Sequence, residues 1–477
     1  MNPLHVVKSG IAHLRMARSI LTGSAIHLSS LAHLVRVGAV GSPSPDADNS
    51  RTGKPDLKMV KWTQDRRIRQ IVQLAAQDTE YYSRLFGRNG HNGQTFTVDQ
   101  FVELPITTKE ALRDRPEAFV RQGYRPTLQT MTTGTTGRGT ATLFTLRETQ
   151  IFSLMSAMGL RRKGNISNAD IVQVNTSARA LLGNQTAMDA LRHLDALVYQ
   201  AGIIGPAQAL ALLTQKHHLP DRKEQVSVLF TYPSYLGKLL EVGLESSYGP
   251  QDFGLERIIV GGEVSSPGLR RRSEALFGRL PFDESYGISE AWPFRGSYCE
   301  EGHLHFDPLR GLMEVLDLES GLPAPPGEAG TLVLTPFLPF RESSIILRYD
   351  TGDMVRTLVD APTCSLSNIP ATGPLLGKRR SCIRTESGWF GPRDILEILE
   401  PNMAVPLPVR FGLWAESGSL GLEVAVREAT LTLRQRIAEQ LQSAGIPVTT
   451  LQLVNDPAQL ERPLPWRGDL HESEFPN

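Results

Sequence analysis

A threonine- and glycine-rich stretch is the first part of the sequence that could do chemistry. It reads TMTTGTTGRGTAT and runs from Thr130 to Thr142. A glycine-rich turn can bring backbone N–H groups close to a phosphate, while hydroxyls donate to its oxygens and an arginine adds charge. The spacing differs from that of the GxxxxGK[ST] nucleotide loop, so a plain surface loop remains the alternative. The candidate phosphate ligands are Thr132, Thr133, Gly134, Thr135, Thr136, Gly137 and Arg138.

Further motifs follow this stretch in a fixed order. They are FDESYGISEAW (282–292), LRYDTGDMV (347–355) and GKRRSCIRTESGWFGPRDILEILE (377–400). Together with the threonine-rich stretch they resemble the adenylate-forming enzymes, which include the acyl- and aryl-CoA ligases. FVELPITTKEALRD (101–114) and RIIVGGEVSSPGLRRR (257–272) are similar to the phenylacetate–CoA ligase branch. The resemblance covers roughly residues 60 to 400.

The resemblance implies an enzyme that joins a carboxylate to AMP, releases pyrophosphate and passes the acyl group to a thiol such as coenzyme A. Because two anions must meet, cations and hydrogen-bond donors have to hold the triphosphate. The implied catalytic residues are Thr135, Glu290 and Arg467, with Glu290 as the ligand of Mg²⁺, a cation that prefers oxygen. ATP is also expected to contact Gly262, Glu263, Tyr286, Gly287, Asp353 and Lys378, with Tyr286 against adenine and Asp353 on the ribose hydroxyls.

Two departures from the family pattern affect the expected chemistry. The family's GRxDD reads Gly377-Lys378-Arg379-Arg380-Ser381 here, and lysine lacks the planar fork of arginine. The family's C-terminal lysine is replaced by Trp466 or Arg467, and no lysine follows Lys378. Three alternatives follow: Arg467 substitutes for the lysine, the enzyme is slow or performs only a half-reaction, or the chain is a degenerate homologue that binds nucleotide or acyl ligand.

The acyl pocket is assigned by the resemblance to the segment TYPSYLGKLLE (231–241) and to residues near YGISEAWPF. Tyr232, Tyr235 and Trp292 could stack on an aromatic acid, and core packing is the alternative. We expect an aromatic or short carboxylic acid. The acceptor stays open between coenzyme A, a carrier-protein thiol and an amine.

A second cluster has the residue types of a metal site. SYCEEGHLHF contains Cys299, His303 and His305, and APTCSLSN contains Cys364. Some members of the phenylacetate branch look as if they hold a structural zinc through a Cys, a Gly-Leu-His and a later Cys-x-Cys. Leu366 stands here in place of the last cysteine, but the four residues present could still give tetrahedral Zn²⁺ its ligands. Free thiols and surface imidazoles are the alternative. The remaining cysteine, Cys382, is interpreted as a buried structural thiol.

The elements expected to position these residues alternate between strand and helix. The apolar runs IVQVNT, VSVLFTY and LERIIVGG lie between helical patterns, which favours a parallel sheet. ETQIFSLMSAMGLRRKG and TAMDALRHLDALVYQAG are each predicted as a helix. LMEVLDLESGLPAPPGEAGTLVLTPFL is typical of a β-hairpin. Near the C-terminus, GLEVAVRE, TLTLRQRIAEQLQSAG and VTTLQLV predict a β-α-β unit. The predicted fold class is α/β: a large N-terminal adenylate-forming domain of mixed parallel sheets with a β-rich subdomain, over 56–376, and a small mobile C-terminal α+β domain, over 377–477.

Residues 1–55 are predicted to be a basic extension and a linker. Residues 1–45 contain no acidic side chain and show helical apolar spacing, which fits a targeting segment, a membrane-surface helix, a loosely attached extension or a misassigned start. The 50 basic and 50 acidic residues of the chain cancel, so nucleic-acid binding gains no electrostatic support. Three cysteines indicate a reducing cytoplasm. A transmembrane segment is not expected, and a homodimer is left open.

Overall fold

The computed structural model describes residues 3–40, 57–88, 97–132, 139–177 and 181–461. The helices are α1 (Pro3–Thr22), α2 (Leu28–Val40), α3 (Leu57–Asp78), α4 (Glu80–Arg88), α5 (Val98–Phe101), α6 (Lys109–Asp114), α7 (Leu146–Gly164), α8 (Leu181–His193), α9 (Pro206–Thr214), α10 (Pro233–Glu245), α11 (Pro267–Phe277), α12 (Pro392–Leu399) and α13 (Leu431–Ser443). The strands are β1 (Leu128–Met131), β2 (Ala141–Phe144), β3 (Ile171–Asn175), β4 (Leu197–Gln200), β5 (Val228–Thr231), β6 (Arg257–Gly261), β7 (Phe282–Tyr286), β8 (Gly296–Tyr298), β9 (Leu304–Phe306), β10 (Gly311–Leu316), β11 (Ala329–Pro336), β12 (Tyr349–Arg356), β13 (Ala371–Thr372), β14 (Leu375–Lys378), β15 (Ile383–Thr385), β16 (Gly388–Phe390), β17 (Phe411–Glu416), β18 (Ser419–Ala425) and β19 (Val448–Val454).

The largest sheet has the order β13-β9-β8-β7-β6-β5-β3-β4. Strands β4, β3, β5, β6 and β7 run parallel, and β8, β9 and β13 extend the sheet in antiparallel fashion. Every residue of β3 is buried, as expected for a parallel strand covered on both faces. The three apolar runs predicted as parallel strands are confirmed as β3, β5 and β6.

Helix α7 is fixed at both ends by local sequence. Thr145 caps its N-terminus and forms a capping box with Glu148, and Asn165 ends the helix in the left-handed conformation. The buried carboxylate of Glu148 also accepts hydrogen bonds from the backbone N–H groups of Glu342 and Ser343. The predicted helix is therefore confirmed, and its N-terminus is tied to the loop after β11.

The segment TAMDALRHLDALVYQAG was predicted as a single helix, and this is wrong for its second half. Helix α8 ends at His193, and Leu197–Gln200 form β4 beside β3. The alternation Leu-Val-Tyr-Gln suits a strand, and pairing with β3 outweighs the helical spacing.

The β-rich region and the C-terminal region both follow the predicted patterns. Strands β10 and β11 form the expected antiparallel hairpin in a sheet of order β10-β11-β12-β14. At the C-terminus, β18 and β19 are parallel and are connected through α13. The predicted β-α-β unit is thus present.

The C-terminal region shares a hydrophobic core with the large sheet's helices. Ile395 and Leu399 of α12 belong to the same buried cluster as Leu239 and Leu276 of α10 and α11. The buried guanidinium of Arg272 donates to the Val405 carbonyl at 2.8 Å. The domain division at 55 and 376, and the mobility of the last domain, stay predictions.

The N-terminal extension forms helices that contact α7. Ile26, Leu31 and Val35 are buried in one cluster with residues of α7 and α8. This contact differs from the loose attachment considered from the sequence. Among the described residues, no helix combines the length and apolar character needed to cross a bilayer.

Candidate active site

A cavity of about 280 Å³ opens where three parallel strands of the large sheet end. Tyr232 follows β5, Gly261 ends β6 and Tyr286 ends β7, and all three line the cavity. Helices α7 and α8 supply another wall. Ligand sites of α/β proteins commonly lie at the carboxyl ends of parallel strands.

Asp353 joins two residues that line this cavity. Its Oδ2 accepts a hydrogen bond from the Tyr286 hydroxyl at 2.8 Å, and its Oδ1 lies 2.8 Å from Lys378 Nζ. Burial, followed by the nearby Asp353 carboxylate, raises the pKa of Tyr286, which keeps the phenol neutral and donating. Strand β14 pairs with β12 so that Asp353 and Lys378 are register partners. The structure therefore brings Asp353, Tyr286 and Lys378 together.

Glu290 and Lys109 lie on the same cavity. The Tyr349 hydroxyl donates to Glu290 Oε1 at 3.1 Å, and Arg341 donates to the Glu290 backbone carbonyl. Burial lowers the pKa of Lys109, whereas the charges of Glu290 and Asp353 raise it. Lys109 is the first residue of α6, after its cap Thr108. Sequence reasoning used its motif, LPITTKEALRD, only as a mark of the family and missed the lysine.

The threonine-rich stretch is only partly described. Strands β1 and β2 form a hairpin that ends at the pair Met131 and Ala141, and the side chains of Thr130 and Thr142 are hydrogen-bonded across it. Thr132 lines the cavity. The other predicted phosphate ligands (Thr133, Gly134, Thr135, Thr136, Gly137 and Arg138) lie outside the described residues, as do Trp466 and Arg467.

The predicted nucleotide-pocket residues Gly262 and Glu263 are placed differently. Gly262 lines the cavity beside Gly287. The carboxylate of Glu263 accepts hydrogen bonds from the backbone N–H and the hydroxyl of Ser234, both at 2.9 Å. Glu263 therefore caps the first turn of α10, and it is not among the residues that line the cavity.

Only two of the three predicted acyl-pocket residues line the cavity. Tyr232 and Trp292 line the cavity. Tyr235 does not: it is buried in the core, and its hydroxyl donates to the Ile204 carbonyl at 2.6 Å. Tyr232 is the N-cap residue of α10 and has an extended backbone, whereas Tyr235 lies within the helix.

Two relatives named phenylacetate-coenzyme A ligase match about two thirds of the chain. A phenylacetate-coenzyme A ligase of Thermus thermophilus is 26% identical over 331 residues, which cover 66% of this chain and 69% of the relative. Another, of Aromatoleum evansii, is 24% identical over 330 residues, which cover 67% and 71%. No protein-family model matches the chain.

A solved structure of a 2-hydroxyisobutyryl-CoA ligase, in the postadenylation state and in complex with R3-HIB-AMP, has the same fold. It matches with a TM-score of 0.71 and 20% identity over 88% of this chain and 91% of that chain. The chain is thus a homologue of phenylacetate–CoA ligases at 24–26% identity and has the fold of a CoA ligase. This phenylacetate–CoA ligase homologue combines the cavity described above with the sequence departures at Lys378 and at Trp466 and Arg467.

This ligase homologue also brings Cys299, His303, His305 and Cys364 together. One potential ligand atom of each lies within 4.8 Å of the others. A tetrahedral zinc with Zn–S of about 2.3 Å and Zn–N of about 2.0 Å would place such atoms roughly 3.3–3.8 Å apart. The ligand set therefore has nearly the size that zinc requires.

The surroundings of the two histidines bear on metal binding. His305 Nδ1 lies 2.9 Å from the Ile369 carbonyl, which can only accept, so Nε2 is left as the unprotonated nitrogen and faces Cys364 Sγ at 3.2 Å. Burial lowers the pKa of His305 and favours this neutral form. His303 Nδ1 is buried without a hydrogen-bond partner among the described residues, and Glu301 Oε2 lies 3.5 Å from it.

Proposed function

We propose that this chain activates a carboxylic acid with ATP, forming an acyl-adenylate and pyrophosphate, and then transfers the acyl group to coenzyme A. The observation that carries this proposal is that Tyr286, Lys378, Glu290 and Lys109 line one cavity, and that Asp353 contacts the first two of them. The similarity to ligases named for coenzyme A supports the acceptor.

In this proposal Asp353 binds the ribose. Its oxygens already accept from Tyr286 and Lys378, but each carboxylate oxygen has a further lone pair for a ribose hydroxyl. The ring of Tyr286 then packs against adenine, and its hydroxyl holds Asp353 in place. Lys378 supplies the positive charge that arginine supplies in the family.

The adenylation step requires cations, since a carboxylate attacks an anionic phosphate. Glu290 would hold Mg²⁺, which neutralises phosphate oxygens when it is bound. Lys109 is a second fixed cation at this end of the cavity, and we assign to it part of the charge that the family's C-terminal lysine provides. Thr132, the loop 133–138 and Arg467 remain proposed phosphate ligands.

The acid would lie against Tyr232 and Trp292, whose ring faces suit an aromatic or short acyl chain. A carrier-protein thiol or an amine remains the alternative acceptor. A specific observation favours a second function, binding or a half-reaction without full adenylation: no lysine follows Lys378.

The test is pyrophosphate release from Mg-ATP across a panel of carboxylic acids, with hydroxylamine to trap the acyl-adenylate. We expect acid-dependent release. Asp353→Asn should lower kcat/KM by about 100-fold or more, since hydrogen bonds to a charged group are lost. Lys109→Met should lower kcat by about 10- to 1000-fold through loss of one cation.

The matched control is Asp350→Asn, on the same strand. Asp350 pairs with Arg379 at 2.9 Å and is not a cavity-lining residue. Its variant should keep wild-type activity. ATP binding without release for any acid would contradict full adenylation and favour the binding or half-reaction role.

We also propose that Cys299, His303, His305 and Cys364 hold a structural Zn²⁺. The support is the size of the ligand set and the orientation of His305, described above. Zinc bound there would join the β8–β9 turn to the segment before β13, because Cys364 comes from the latter. Its test is given in the Discussion.

A further inference from the structure

The cavity has a second charged wall, away from the proposed nucleotide site. Lys163 of α7, Asp283 and Glu284 of β7, and Arg295 just before β8 all line it. The guanidinium of Arg295 lies 5.9 Å from the centre of the Trp292 ring. Arg295 has neither a hydrogen bond nor an ion pair with any residue in the described part of the chain. Its N–H groups are therefore available to a ligand in the cavity.

The charge of Arg295 is not compensated by a carboxylate. Burial, and then the cation Arg310, lower its pKa to about 10, so it stays protonated at neutral pH. Two acids line the same wall: Asp283 pairs with Arg257 at 2.5 Å, and burial raises the pKa of Glu284 to about 7. A desolvated cation without a partner is costly, and a bound anion would offset that cost.

Lys163 adds to the positive potential of this wall. Its Nζ donates to the Tyr298 carbonyl at 2.9 Å. Burial lowers its pKa, the charge of Asp283 raises it, and that of Arg295 lowers it. The charges of Arg295 and Lys163 therefore interact on this wall.

The backbone makes room for Arg295 and Trp292. A Cβ at Gly159 would lie 3.0 Å from Arg295 Nη2, and one at Gly287 would lie 2.8 Å from the Trp292 ring. Side chains at these positions would push both groups out of place. Trp292 Nε1 is also buried without a hydrogen-bond partner among the described residues.

The two ends of the cavity differ in the charges around them. The charges with the largest effects on the pKa of Lys109 are those of Glu290, Lys378, Asp353 and Arg113. None of these is among the main causes of the pKa shifts of Arg295 and Lys163. The Arg295 wall is therefore formed by groups other than those assigned to ATP.

We propose that the acid substrate carries a second carboxylate and that Arg295 binds it, with Lys163 adding charge. This inference rests on the proposed function, whose first carboxylate reacts at the nucleotide end. A guanidinium matches a carboxylate through two parallel N–H···O bonds, which gives the site its preference over a monocarboxylic acid.

The experiment compares matched acids in the pyrophosphate-release assay: benzoate with isophthalate, phenylacetate with 4-carboxyphenylacetate, butanoate with butanedioate, and hexanoate with hexanedioate. We expect at least one dicarboxylate to exceed its partner by about tenfold or more in kcat/KM. Arg295→Met should lower kcat/KM for that dicarboxylate by about 10- to 100-fold and leave the monocarboxylate within about threefold. Arg295→Lys, which keeps the charge, should fall between wild type and Arg295→Met.

Arg384→Met is the matched control, because the Arg384 guanidinium also lies 5.9 Å from the centre of a tryptophan ring, that of Trp389, and Arg384 does not line the cavity. It should leave the preference unchanged. Two outcomes would overturn the inference while the proposed function stands. One is a higher kcat/KM for the monocarboxylate in every pair, and the other is an equal fall in kcat/KM for both acids of a pair in Arg295→Met. If Arg295→Met does not fold, the wild-type ratios and Arg295→Lys decide. If no acid of the panel gives pyrophosphate release, the proposed function is overturned, and this inference with it.

Discussion

Two buried cysteines of this chain have different surroundings. Cys364 lies beside His305 within the four-residue cluster. Cys382 packs against Met354 and Leu376, and burial raises its pKa to about 12. Zinc binds thiolate and needs several converging ligands, so only the surroundings of Cys364 favour it.

Cys364→Ser is expected to remove most of the bound zinc, because serine leaves three ligands and a poor fourth. The measurement is elemental analysis of protein that has been expressed with added zinc and then dialysed. Wild type should hold about one zinc per chain. Cys382→Ser is the control and should hold as much as wild type. A zinc-free wild type, or equal zinc in both variants, would contradict the site.

At the scale of elements, helices α1 and α2 present both buried and exposed apolar side chains. Leu31 of α2 is fully buried in the cluster that contains Phe152 and Ile151 of α7. Leu14 of α1 is 72% exposed. The extension thus stabilises α7, whose C-terminal half carries Gly159 and Lys163 into the cavity wall.

Leu31→Ala should lower the free energy of unfolding by about 2–5 kcal/mol, through lost burial and the cavity that remains. Leu14→Ala removes the same atoms from an exposed position of the neighbouring helix. It should change the free energy of unfolding by less than about 0.5 kcal/mol. Urea unfolding of both variants is the measurement. An unchanged free energy of unfolding in Leu31→Ala would mean that the extension does not pack on α7 in solution.

At the scale of the whole molecule, buried acids lie where α12 meets the large sheet. Ser266 donates to Glu400 Oε2 at 2.5 Å, and Arg393 donates to the Ser265 carbonyl at 2.5 Å. Burial raises the pKa of Glu400 and of Glu284 to about 7 each. Between about pH 4.5 and 7 the folded state binds more protons than the unfolded chain, so stability falls as pH rises through this window.

Glu400→Gln removes one of these titrating groups and should raise the free energy of unfolding at pH 8 by about 1–3 kcal/mol. The gain should shrink at pH 5, where wild-type Glu400 is protonated in the folded state. Denaturant unfolding at the two pH values measures this. Glu439→Gln lies at an exposed position of α13 and should have the wild-type free energy of unfolding at both pH values. A gain that is the same at pH 5 and pH 8 would contradict the assignment.

Local patterns predicted the elements that depend on near neighbours. The apolar run of β3, the helix α7 and the hairpin of β10 and β11 were all found as expected, because each depends on residues close in sequence. The end of α8 was missed, since pairing with β3 decides that Leu197–Gln200 form a strand. A helical spacing carries no information about such a partner.

The sequence by itself determined the order of the motifs, and it predicted the resemblance to adenylate-forming enzymes and the candidate site residues Asp353, Tyr286 and Glu290, because those motifs are contiguous. Only the tertiary structure decided that Lys109 lies on the same cavity, that Tyr235 and Glu263 do not line it, and that Arg295 stands there without a carboxylate. These outcomes depend on which way side chains from distant elements point after packing. Spacing along the chain does not encode that convergence, since the strands and helices that bring these groups together meet only in the fold.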